Sequence, residues 1–351
     1  MPKEAMSGRE RWLAVLNRKL PDRVPLDYWA TPEVTAMLCQ HLGCDFDTVC
    51  ERLHIDLPLT VEGRYVGPPL AADSDVFGIR RKAVDYGGGV YLEVTNAPLA
   101  GFDSVDAIEA HYRWPNPDWW DYGHLPEAVR GQEHRIIRGG GSEPMWTYKA
   151  LRGEEQAFMD LLLYPEIVRY CLDKLFDLAY QDTLRIFEAI PGQVSITYVA
   201  EDLGGQESLL YSPKQIRAFL LPGMKRMMDL TRQHGSCVFT HTDGAVRGAI
   251  PDLIGIGMQV LNPIQWACPG MDREGLKRDF GSQIVFHGAV ENQRILPFGR
   301  VEEVRQEVLD NIRILGAGGG YILAPCHNIQ PVTPPENIAA VYETGYAAGW
   351  Y

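Results

Sequence analysis

The sequence predicts an α/β protein of the (β/α)8 TIM-barrel class, and three observations carry that prediction. Short β-branched runs alternate with longer amphipathic stretches. Eight such runs occur, near residues 24, 55, 136, 196, 239, 260, 285 and 322. The chain length of 351 residues also falls within what one barrel with an insertion uses. A doubly wound sheet is the competing architecture, but no glycine-rich fingerprint joins the first strand to the first helix. No 20–50-residue period, low-complexity tract or Gly/Ser linker divides the chain, so residues 1–351 are expected to form a single domain.

Each element has its own signal. Ser7 with Glu10 three residues later forms a capping box before Trp12, Val15 and Leu16, and this helix ends before Pro21. Residues 23–26 read as the first strand and 54–57 as a weak second one. The alternating stretches 77–84 and 90–94 flank Gly87-Gly88-Gly89, which predicts a β-hairpin excursion within residues 76–122. The Trp- and Pro-rich stretch 114–122 reads as loop. Residues 135–138 form a strand opening into Gly139-Gly140-Gly141. A helix follows Pro165, with apolar residues at 168, 171, 172, 175, 176 and 179. Strand 194–199 precedes a helix opened by Ser212-Pro213-Lys214-Gln215, with a capping box and a proline at its first position. Strands 237–240, 259–262, 283–286 and 320–324 follow. A helix over 301–315 separates the last two, and Thr333 is expected to cap the closing helix.

Composition narrows the function classes. With 33 basic and 46 acidic side chains the net charge is −13, which argues against a general nucleic-acid binder. The 46% apolar and 23% charged content is that of a globular protein with ample core material. The N-terminus lacks the apolar core of a secretory signal, and no apolar run reaches about 18 residues. Seven scattered cysteines suggest reduced thiols, so a cytoplasmic protein without membrane association is expected.

A barrel places its chemistry just beyond the C-terminal ends of its strands. Those positions carry Asp27-Tyr28-Trp29, Ser142, Glu201-Asp202, His241-Thr242-Asp243, Asn262 with Gln265, His287, and Cys326-His327. An imidazole and a carboxylate spaced as His241 and Asp243 can hold one divalent ion, although Asp243-Gly244 also fits a plain turn. Cys326 and His327 can complete a metal site or bind an anionic group. Cys326 can equally be one more small buried hydrophobe. The adjacent Glu201 and Asp202 suit general acid chemistry, with a helix N-cap as the plain reading of Asp202. Cys39, His41, Cys44 and Cys50 fit no finger or ribbon spacing. The glycine triplets at 139–141 and 318–320 lack P-loop companions and read as turns or close packing. Trp114, Trp119 and Trp120 form either a flat binding wall or anchors for a long loop.

Across nearly its whole length the sequence resembles the uroporphyrinogen decarboxylase superfamily, which includes corrinoid-dependent methyltransferases. The resemblance rests on RERWLAVLNRKLPDRVPLDYW at 9–29, GSEPMWTYKALRG at 141–153 and AEDLGGQESLLYSPKQIRAFLLP at 200–222. It continues in FTHTDGAVRGAIPDLIGIGMQVLNPIQ at 239–265, FHGAVENQRILPFG at 286–299 and GYILAPCHNIQPVTPPENIAAVYE at 320–343. Decarboxylases of this family carry arginines after the first strand that bind substrate carboxylates. Here the matching region is DYWATPEVT, without arginine, which removes the charge-assisted partners a tetra-acid needs. His327 matches the histidine near the decarboxylase C-terminus.

The methyltransferase branch resembles a zinc enzyme with His-x-Cys after the fifth strand and a cysteine after the eighth. His241 and Cys326 match, while Asp243 replaces the first cysteine and leaves a harder donor set. The resemblance thus implies an enzyme that moves a methyl group between a small molecule, of methyl ether or thiol type, and a corrinoid (methylcobalamin) on a partner protein. His241, Asp243, Cys326 and Glu201 would hold Zn2+, and His327 and Asp202 would act on the substrate. Asp27, Trp29, Trp146, Tyr148, Asn262 and Gln265 would line its pocket, and a homodimer is implied. A metal-independent decarboxylase is the alternative reading. A non-catalytic tetrapyrrole- or corrinoid-binding protein is the second.

Overall fold

In the computed structural model, which describes residues 4–85 and 90–351, seven strands lie side by side, all parallel and in chain order. They are Leu59–Val61, Ile137–Ser142, Ile196–Ala200, Cys237–His241, Val260–Ile264, Val285–Val290 and Tyr321–Pro325. Residues 24–27 supply the eighth position. Leu26 bridges Leu323 in parallel, and the Asp27 N–H donates to the Leu323 carbonyl at 2.9 Å. On the other side the Asp56 N–H donates to the Leu26 carbonyl at 2.7 Å, which closes the ring before the 59–61 strand begins. The fold is therefore the TIM barrel that the strand count predicts. Ordinals below count residues 24–27 as the first barrel strand.

The period of two along each strand sorts side chains between two cores. Ile136, Ile196, Cys237, Phe239, Val260, Val285 and Ile322 point inward and pack together. The first helix, Gly8–Leu16, plugs the floor of this barrel with Trp12, Val15 and Leu16. The alternate residues, including Val199, Val238, Leu261, Phe286 and Leu323, join the outer core beneath the helical ring. Continuing the inward rows upward gives Arg138, Tyr198, His241, Asn262 and His287. The apolar filling thus ends where polar chemistry starts.

The capping boxes at Ser7 and Ser212 form as expected. The helices Pro165–Ala189 and Val301–Leu315 match their periodicity. Thr333 makes no cap, because the last helix starts at Pro335 with Pro334 at its N-cap. The hairpin pairs Arg81–Asp85 with Val90–Val94 antiparallel, and its glycine triplet lies outside the described residues. Within the stretch expected as loop, Trp120 and Asp121 pair antiparallel with Tyr65 and Arg64. Trp114 donates to the Tyr170 hydroxyl and Trp119 packs against Tyr65, so both act as anchors. No helix among the described residues is long and apolar enough to cross a membrane.

Candidate metal and substrate site

The loops after the fourth and fifth strands build the centre of the site by approaching backbone to backbone. A Cβ on Gly204 would lie 2.3 Å from the Asp243 carbonyl, and one on Gly244 would lie 2.3 Å from the Gly205 carbonyl. The Ala245 N–H donates to the Gly205 carbonyl at 2.8 Å, and the Leu203 N–H donates to Thr242 Oγ1 at 3.0 Å. Asp202 and Asp243 are thereby brought to the same imidazole. His241 Nε2 lies 3.7 Å from Asp202 Oδ1 and 3.9 Å from Asp243 Oδ1. Both oxygens are buried without a hydrogen-bond partner, an arrangement that costs free energy unless something else satisfies them.

A chain of hydrogen bonds fixes which His241 nitrogen faces these oxygens. The Asp27 carboxylate only accepts. It takes the Tyr28 N–H and Trp29 Nε1–H, and His287 Nε2 lies 2.9 Å from it, so that nitrogen donates. With the Asn262 amide nitrogen 2.7 Å away, His287 Nδ1 accepts from it. The Asn262 carbonyl is left facing His241 Nδ1 at 2.7 Å, and that nitrogen must donate. The lone pair of His241 is consequently at Nε2, aimed at the two orphaned oxygens. A buried partner that locks the ligand tautomer in this way is the usual support of a metal-binding imidazole.

Asp202, His241 and Asp243 hold their donor atoms within 4.8 Å of one another and form a candidate metal group. With bonds of about 2.0–2.1 Å, ligand atoms across a tetrahedral ion sit roughly 3.4 Å apart, close to the separations found here. Two orphaned carboxylate oxygens and one free imidazole lone pair fit a small divalent cation. Burial raises the Asp243 carboxyl above its ordinary range, against the opposing pull of His241 and His327.

Cys326 and Glu201 are not brought into this group. The Cys326 thiol is fully buried and donates to the Ile264 carbonyl at 3.0 Å, and burial pushes its pKa well up. Glu201 turns away to accept the Met145 N–H, at 3.1 and 3.2 Å to its two oxygens. Complete burial raises its carboxyl far above the ordinary range. Tyr148 is displaced as well: it is buried and donates to Asp160, which also pairs with Arg152. Gln265 braces the fifth-strand loop by accepting the Gly244 N–H. Trp146 is half-exposed and carries Arg81 over its ring. Asp202 caps no helix, and His327 is exposed beside the site.

Two residues of the site escaped the sequence reading. Glu143 follows the third strand directly, and burial together with Asp202 pushes its carboxyl up to about 7. Its signal was its position one residue beyond Ser142. Arg138 lies on the inward row of that same strand. Both line a cavity of about 840 Å3 that also contains Asp27, Trp29 and Tyr198. The Trp29 ring stacks 6.2 Å from His241, so this cavity adjoins the candidate metal group.

Comparison with known proteins agrees with this architecture. The family profile described as Uroporphyrinogen decarboxylase (URO-D) matches residues 144–347. Uroporphyrinogen decarboxylase of Nitrosococcus oceani is 23% identical over 363 aligned positions, covering 95% of this chain and 94% of that protein. Its counterpart in Nostoc punctiforme is 25% identical over 217, covering 59% of this chain and 53% of that one. Among solved structures, a methyltransferase from Methanosarcina mazei superposes with a TM-score of 0.67 at 19% identity, covering 97% of this chain and 99% of its own. The profile spans more than half of the chain and contains the fourth- to eighth-strand ends that build the site. This chain belongs to the uroporphyrinogen decarboxylase (URO-D) family.

Proposed function

We propose that this chain is a metal-dependent methyltransferase. It would move a methyl group between a small molecule and a corrinoid on a partner protein, with residues 1–351 acting as one catalytic domain. The observation that carries the reading is the convergence of His241 Nε2 with two buried, unpartnered carboxylate oxygens of Asp202 and Asp243. These residues would hold a divalent cation, zinc being the first candidate. Bound there, the cation would supply Lewis acidity toward an ether oxygen or a thiol. The likeness to a methyltransferase fold is compatible with this reading.

The chain's own residues divide the remaining work. Asn262 keeps His241 in the donor-ready tautomer. Trp29, held by Asp27, walls the cavity beside it. Breaking a methyl–oxygen or methyl–sulfur bond leaves negative charge on the heteroatom. Glu143, whose carboxyl titrates near 7, can hold a proton for it at neutral pH. Asp202 thus moves from a proton carrier to a ligand in this reading, and Glu143 takes over the acid role.

The test is direct. Purified protein should bind about one equivalent of zinc by elemental analysis, and His241→Ala or Asp243→Ala should lose both the metal and methyl transfer to reduced cobalamin. No retained divalent metal, or full activity in His241→Ala, defeats the reading. Metal-free decarboxylation is the second reading, favoured by the names of the curated relatives and by Arg138 in the cavity. Carbon dioxide release that persists in a chelator would select it.

A further inference from the structure

We infer that Arg138 forms an anion subsite for a substrate carrying a single carboxylate on a small flat body. The inference rests on the proposal that the barrel mouth is the substrate site, and it adds which class of molecule enters. Arg138 is the only basic side chain among the residues lining the 840 Å3 cavity. Its Nε donates to Thr60 Oγ1 at 3.1 Å, and its guanidinium carbon lies 5.7 Å over the Trp29 ring. Among the described residues its two terminal amino groups have no partner. An arginine fork held at its stem and along one face, with both terminal groups open to a cavity, is shaped for bidentate carboxylate binding.

The backbone is arranged to present it. Third-strand pairing is regular at Arg138, opposite Ile196, and then shifts before Gly141, which lies opposite Tyr198. Of the two residues within that irregularity, Gly139 and Gly140, the second has φ +69°, and a Cβ there would lie 2.5 Å from Thr183. Such bulges re-aim side chains at the mouths of barrels. The cavity also limits the charge of what enters. Glu62, Asp27 and Asp182 line it too, so a second or third negative charge on the ligand would meet acidic side chains instead of cations. Trp29 and Tyr198, tilted at 45° with centroids 6.1 Å apart, offer apolar faces beside the guanidinium. The position specifies a small monocarboxylate and disfavours a poly-acid, and the cation comes from the third strand in place of the loop after the first.

The experiment uses benzoate and its neutral isostere benzamide, titrated calorimetrically against the full chain kept metal-free with chelator. Wild type should bind benzoate at least fivefold tighter than benzamide. Arg138→Gln should erase that preference, and Arg138→Lys should retain part of it. A wild type without the fivefold preference, or an Arg138→Gln variant that keeps it, overturns the assignment. Zinc binding, measured separately, should be unchanged in Arg138→Gln. His241→Ala should lose zinc and keep the benzoate preference, which separates failure of the subsite from failure of the metal reading.

Discussion

At the scale of single residues, the site is a problem of proton placement. Among the described residues Asn262 is the only polar link between His241 and His287, and Asp27 sets the direction of the whole relay from its far end. Asn262→Leu keeps the branching at Cγ and removes both links, leaving the two buried Nδ1 atoms without partners. Zinc affinity should fall about 10- to 100-fold, as for other supports of metal-ligating histidines, and isothermal titration measures it. Unchanged affinity would show that the relay does not set the His241 tautomer. Much of this site was legible from sequence, because polar residues at successive strand ends must share one mouth once a barrel is granted. What sequence cannot supply is where a side chain turns after its strand stops. Glu201 and Asp202 are adjacent, yet one reaches back to the Met145 N–H and the other forward to His241. Cys326 follows its strand as expected, but its thiol spends its proton on a neighbouring carbonyl.

At the scale of elements, the two glycine-bearing loops decide whether the carboxylates meet. Gly244 has φ +79°, a region side chains avoid, and its missing Cβ is what lets the Gly205 carbonyl approach. Gly244→Ala should cost about 1–3 kcal/mol in urea unfolding and loosen metal binding, since the loops must part to admit the methyl group. Gly248→Ala is the matched control, because a Cβ there meets nothing nearer than Leu209 at 3.5 Å and should change little. The strands themselves were readable, since inward and outward rows are both apolar and β-branched. The first and second were the weakest signals. The first is held by a few main-chain bonds from 24–27 to Asp56 and to the eighth strand, and the second lies at Leu59–Val61 instead of the expected 54–57 and is only three residues long, so neither leaves an alternation long enough to read.

At the scale of the whole molecule, the formal charge of −13 overstates what the folded chain carries at neutral pH. Burial lifts Glu143 and Glu307 up to about 7 and raises Glu201 well above its ordinary range, so protons remain on groups that ionise when the chain unfolds. Where the native state binds more protons, stability falls as pH rises, here from about 4.5 through 7 and above. Asp22 works in the opposite sense. Burial would raise it, but Arg11 and two backbone N–H groups hold it down to about 2, so its contribution is lost only as pH falls below 3.8. Glu307 isolates the first effect, since it is not one of the candidate metal ligands. Its Oε1 accepts from the Glu291 N–H and the Trp266 indole, while Oε2 is buried without a partner. Glu307→Gln preserves the accepting oxygen and cannot ionise. Chemical denaturation should find it roughly 1–3 kcal/mol more stable than wild type at pH 8, with most of that gain gone by pH 4.5. Equal stability at pH 8 would mean that Glu307 ionises in the folded chain without penalty, and that the acidic balance of this barrel is carried in full after all.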